Sequence, residues 1–138
     1  MIVRTAVTSA PLSVAEHESA VADAAAGAVV SFAGVVRDHD EGRGVVRLVY
    51  EGHPSAETVL ADVVAEIAKD PAVRGIAVSH RVGELAIGDV ALAAAVATAH
   101  RAEAFAICAR LVDEVKARLP VWKHQHFTDG SDEWVNSP

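Results

Sequence analysis

Two lysines, Lys116 and Lys123, bracket the segment Ala117-Arg118-Leu119-Pro120-Val121-Trp122, and the chain has only one other, Lys69. Lys116 falls in the last turn of a predicted helix, where an ammonium group faces the carbonyl end. Pro120 breaks that helix and turns the chain, which can bring Lys123 back toward Lys116. Two neighbouring ammonium groups lower each other's pKa, so one becomes available as an acid, base or nucleophile near neutral pH. Taken alone, the spacing has a plainer reading as two solvated lysines, one of them capping a helix.

Three further groups bear on anion binding. His100-Arg101 stands where a strand pattern gives way to a helix pattern, a junction at which backbone N–H groups and a guanidinium can hold an anion. His100 also continues the face of Val90, Leu92, Ala94, Val96 and Thr98, so a sheet-edge histidine fits equally well. Arg37 closes an alternating run in which Gly34 permits a bulge or a close backbone approach. Singly, Gly34 reads as a packing residue and Arg37 as a surface charge. Arg37 ends one strand and His100-Arg101 another, so both can open onto the same edge of a sheet. His80-Arg81 repeats the pair and reads as structural. His124 and His126, with His39 and His53, do not complete a zinc shell at any recognised spacing, and no metal is expected. Cys108 lies in an apolar helical stripe and reads as a core thiol. No glycine-rich phosphate loop is present.

The elements that must position these residues follow from periodicity. Ile2–Thr8 is a strand; Ser13 and Glu16 form a capping box opening a helix that Gly27 closes. Ala28–Arg37 alternates with Val30, Phe32, Gly34 and Val36 on one face, and Val45–Glu51 with Val46, Leu48 and Tyr50. These two predict a hairpin with a long, mobile tip between them. Pro54 starts a helix with a stripe of Val59, Leu60, Val63, Val64 and Ile67, and Pro71 ends it. Ile76–Val82 and Val90–Ala99 are strands joined by residues 83–89. A helix over 102–118 carries Phe105, Cys108, Val112, Val115 and Leu119, and Val121–Phe127 is extended. The order β-α-β-β-α-β-β-α-β predicts an α+β domain with helices packed on a mixed or antiparallel sheet.

Length and composition set the frame. The 138 residues suit one domain spanning 1–138, and with 51% apolar but only 4% aromatic residues its core is aliphatic. A formal charge of −7 argues against nucleic-acid binding. The N-terminus lacks a signal-peptide pattern and no apolar run reaches membrane-spanning length, which predicts a cytoplasmic protein. A lone cysteine excludes an internal disulfide.

In order along the chain stand Phe32-Ala33-Gly34-Val35-Val36-Arg37, Leu48-Val49-Tyr50-Glu51 and His80-Arg81-Val82-Gly83-Glu84-Leu85-Ala86-Ile87-Gly88-Asp89. His100-Arg101, the Lys116–Lys123 segment and Asp129–Val135 follow. This series resembles the catalytic (large) subunit family of molybdopterin synthase over almost the whole chain. The resemblance implies an α/β-hammerhead fold and a homodimer that becomes a heterotetramer with two small ubiquitin-like sulfur-carrier subunits. It implies a sulfurtransferase of molybdenum cofactor biosynthesis with no cofactor of its own. Sulfur passes from the carrier's C-terminal thiocarboxylate to cyclic pyranopterin monophosphate, forming the dithiolene of molybdopterin. By position, Lys116 and Lys123 match the family's two functional lysines. Arg37, His100 and Arg101 match residues of its anion and substrate pocket, to which the neighbouring protomer can contribute. Gln125 stands where many members carry glutamate. A non-catalytic module that docks a carrier tail, or a small phosphate-ester hydrolase, is the alternative.

Overall fold

The computed structural model describes residues 1–136, so Ser137 and Pro138 of the expected 1–138 domain lie outside the described residues. Its architecture is α+β, with three helices and two sheets among the described residues. In the first sheet, β1 (Ile2–Thr8) runs parallel to β5 (Val73–Arg81), which pairs antiparallel with β7 (Val90–Thr98). β7 in turn pairs antiparallel with β2 (Ala28–Val35), which ends the sheet.

The central strands are buried on both faces. Val21 of helix α1 (Val14–Val21) packs over Ala77, Ala95 and Ala97 on one face. The larger core lies on the other, where α2 (Ala56–Ala68) and α3 (Arg101–Arg118) cover Ile76, Val78, Leu92, Ala94 and Val96. Small residues under α1 let the helix come close: a Cβ on Gly75 would stand 2.9 Å from the Val21 carbonyl oxygen. No described helix is long and apolar enough to cross a membrane.

The second sheet joins β3 (His39–Asp40), β4 (Arg43–Gly52), β8 (Val121–Phe127) and β9 (Asp132–Val135) in that order, and β6 (Gly83–Ala86) also pairs with β4. The hairpin expected between Ala28–Arg37 and Val45–Glu51 is therefore absent, because β2 and β4 lie in different sheets. A bulge at Gly34/Val35 takes the chain off β7, and backbone bonds from Val36 N to Asp89 O and from Gly88 N to Val36 O carry it across. Nor is the tip a long mobile loop. Asp40 and Arg43 pair around Glu41 and Gly42, whose φ of 48° and 79° give the two-residue turn with both centres left-handed.

Other boundaries move for local reasons. Ser13 caps α1 as its pattern predicts, accepting from Glu16 N at 3.2 Å. The helix ends at Val21 rather than at Gly27, since Asp23 turns the chain by accepting from Ala25 N. A bulge between Val45 and Arg47 buries Val45 and leaves Val46 exposed. On α3 the buried stripe is Ala104, Ile107, Cys108, Leu111 and Val115, whereas Phe105 is 63% exposed.

Candidate functional site

Where the two sheets meet the C-terminal end of α3, a cavity of about 270 Å³ opens, lined by Arg37, Tyr50, His80, Lys116, Lys123 and Gln125 over an apolar floor that includes Val36, Leu48 and Leu92. Pro120 produces the convergence. α3 ends at Arg118, its cap residue Leu119 has an extended backbone, and the Pro120 carbonyl accepts from His53 N at 2.9 Å, seating the chain for β8. Along β8, Val121, Lys123, Gln125 and Phe127 share the inward face. Lys123 thus enters the cavity opposite Tyr50, its partner on β4.

The electrostatics suit proton transfer. Burial pushes the Lys116 amine below its ordinary pKa, and the positive charge of Lys123 lowers it further. His80 is 1% exposed. Its Nδ1 donates to the Arg81 carbonyl at 2.7 Å, so Nε2 carries the lone pair, and its ring meets Tyr50 edge-on at 4.8 Å. Burial lowers the His80 pKa to about 4 against the pull of that hydrogen bond, with Lys116 lowering it as well. Burial likewise pushes the Tyr50 hydroxyl up to about 12. At the rim, Arg37 lies 3.5 Å from Asp40, whose other oxygen accepts from Gln125 Nε2 at 2.8 Å.

The structure brings Arg37, Lys116 and Lys123 together but not His100 and Arg101. Those two begin α3, and Lys116 lies fifteen residues on, about 22 Å away at 1.5 Å per residue. The expectation of a shared sheet edge fails because β2 and β7 are antiparallel. Arg37 follows the end of β2 near Val90, whereas His100 follows Thr98, which pairs with Ala28 at the far end.

Of the remaining histidines, His39 also lines the cavity, and the rings of His124 and His126 lie 4.3 Å apart. His124 and His126 lie on the outer face of β8; His124 stacks on Trp134 at 4.2 Å and its Nε2 bonds Asp132 at 2.6 Å. His39 pairs with Asp38, and His53 with Ser55. Cys108 is buried, and burial raises its thiol pKa.

Sequence reasoning gave His80 a structural role and assigned no role to Asp40 or to the Tyr50 ring. A signal existed for His80: it shares its strand parity with Ile76 and Val78, which points it into the core.

Residues 7–118 match the family model described as MoaE protein. The chain is 40% identical over 133 residues to the molybdopterin synthase catalytic subunit of Nostoc sp., covering 95% of this chain and 81% of that protein. It is 40% identical over 131 residues to molybdopterin synthase catalytic subunit 1 of Mycobacterium tuberculosis, covering 94% and 88%. The crystal structure of molybdopterin synthase from Staphylococcus aureus is similar with a TM-score of 0.86 at 30% identity, over 94% of each chain.

Proposed function

The chain belongs to the MoaE protein family, the catalytic subunits of molybdopterin synthase, and from this we propose how its pocket performs sulfur transfer. The substrate is cyclic pyranopterin monophosphate, and the sulfur donor is the C-terminal thiocarboxylate of a small ubiquitin-like carrier. Both are anions, and the cavity gathers Arg37, Lys116 and Lys123 in a chain whose overall charge is −7. Arg37 offers fixed, forked donors to the phosphate. Lys123 holds the tail's carbonyl as charge develops on it. Lys116, its amine desolvated and beside a second cation, releases or accepts a proton at ordinary pH more readily than an exposed lysine. This convergence on one cavity is the observation that carries the reading.

His100 and Arg101 enter the site from a second copy. Among the described residues β2 pairs only with β7, so its outer edge is open, and Val29 and Val35 on the strand and Phe105 on α3 are exposed. Two such edges meeting antiparallel across a two-fold axis set the Ala28 end of one copy beside the Val35 end of its partner. His100 and Arg101 adjoin the Ala28 end and Arg37 adjoins the Val35 end, so each pocket is completed across the axis. The dimer then takes one carrier per pocket, and the single domain 1–138 works in the cytoplasm.

Incubation with cyclic pyranopterin monophosphate and a thiocarboxylated carrier tests the assignment. Molybdopterin should form in step with carrier consumed; a folded protein that binds both and yields none overturns it.

A further inference from the structure

Gln125 is 3% exposed, and its amide reaches across from β8 to β3, donating to Asp40 Oδ2 at 2.8 Å between residues eighty-five apart in sequence. Asp40 opens the tight turn to β4, and its Oδ1 faces Arg37 Nη2 at 3.5 Å. A core-anchored amide thus grips a carboxylate that in turn grips a guanidinium on the pocket wall. We propose that Gln125 and Asp40 form a clasp that positions Arg37 for the anionic substrate, both acting as positioning residues. The proposal rests on the reading of this cavity as the pterin phosphate site.

Three observations support it. The Arg37 side chain is 66% exposed, and an exposed ion pair with a mobile partner holds little in place. Asp40 is itself tied down: it pairs with Arg43 in the β3–β4 ladder and its Oδ2 accepts from the buried Gln125 amide at 2.8 Å, a bond that also holds its carboxyl below the usual range. Lastly, the clasp accounts for an amide at position 125. Glutamate there would set two carboxylates in hydrogen-bond contact, and at neutral pH they repel unless they share a proton. Glutamate becomes compatible if Asp40 is exchanged as well. In Asp40→Asn with Gln125→Glu, the new amide donates to the new carboxylate, the amide oxygen at position 40 still faces Arg37, and the charge count is unchanged.

The test compares wild type, Gln125→Glu and the double exchange. One readout is the affinity for cyclic pyranopterin monophosphate by calorimetry. The other is amide hydrogen exchange at Arg43–Val45 by NMR, which reports the turn with no ligand present. At about pH 7.5, Gln125→Glu should bind roughly ten- to a hundredfold more weakly, the scale of one charge-assisted contact, and exchange faster. Near pH 5.5 it should approach wild type measured at the same pH, because one proton then bridges the two carboxylates. Taking wild type at each pH as reference removes the titration of the other groups facing the pair, namely Arg37, His39, Lys123, Lys116 and His80. The double exchange should return both readouts to within about threefold of wild type, well inside one decade of affinity. Wild-type behaviour of Gln125→Glu at the higher pH, or a double exchange as impaired as the single one, overturns the clasp. If wild type binds no pterin, the substrate reading fails instead, and hydrogen exchange still decides on the clasp.

Discussion

At the scale of single residues, the pocket sets two lysines beside a buried imidazole whose charge is disfavoured by burial. Lys116 and Lys123 are both cations on an apolar floor, and burial together with the neighbouring Lys123 charge acts against the charge of Lys116. Lys116→Ala and Lys123→Ala should each reduce molybdopterin formation by about a hundredfold or more, the scale of a lost acid–base group, with unchanged circular dichroism. Wild-type turnover in either folded variant removes that lysine from the chemistry. His80 makes a separate prediction about stability. In the unfolded chain its imidazole takes a proton near pH 6.5, whereas the folded protein keeps it neutral down to about 4. Between those values the unfolded state binds more protons, so stability is fully present above pH 6.5 and falls as pH drops toward 4, by about 3 kcal/mol in all. Denaturant titrations across that window should show the loss in wild type and much less of it in His80→Gln. The lysine pair was legible in the sequence because a proline marks where the chain must turn. His80 was not, because strand parity shows that a side chain points inward without showing what cavity awaits it.

At the scale of elements, most strands and all three helices could be read from apolar periodicity and caps, since both are local properties of the chain. Sheet membership could not. β2 and β4 each alternate cleanly, and nothing in their own residues says that the link between them changes sheets at Gly34 rather than turning back. The short strands β3, β6 and β9 escaped notice because two to four residues carry too little pattern to count. The β3–β4 turn shows what such a short element contributes. Gly42 has φ of 79°, a conformation that branched side chains resist, so Gly42→Val should destabilise the protein by about 1–2 kcal/mol in thermal unfolding. It should weaken pterin binding as well, because the same turn holds Asp40. Unchanged affinity alongside the lost stability would separate the turn from the site.

At the scale of the whole molecule, the distance along α3 makes the proposed site a property of two chains. Mixing Lys116→Ala with Arg101→Ala after reversible dissociation should restore activity to about a quarter of wild type. Half the reassorted dimers are then mixed, each with one intact pocket and one doubly damaged. No recovery would place His100 and Arg101 outside the shared site. Phe105→Asp, which sets a charge beside the open edge of β2, should shift the protein to monomer by sedimentation and remove activity while leaving the fold in place. The sequence could suggest dimerisation through resemblance and through its high apolar content, but not where, because Phe105 sits in a helical stripe that reads as core until α3 is seen to turn it outward.

The stack of His124 on Trp134 has an optical consequence. The only two tryptophans of the chain, Trp122 and Trp134, lie on the β8–β9 ribbon, Trp122 next to Lys123 and Trp134 in register with His124. Ultraviolet emission from this protein therefore originates on the strand pair that carries a pocket lysine. An imidazole held parallel to one indole at 4.2 Å makes that emission sensitive to any shift between the two strands. The intact protein thus carries its own fluorophore beside the site, with no label to attach.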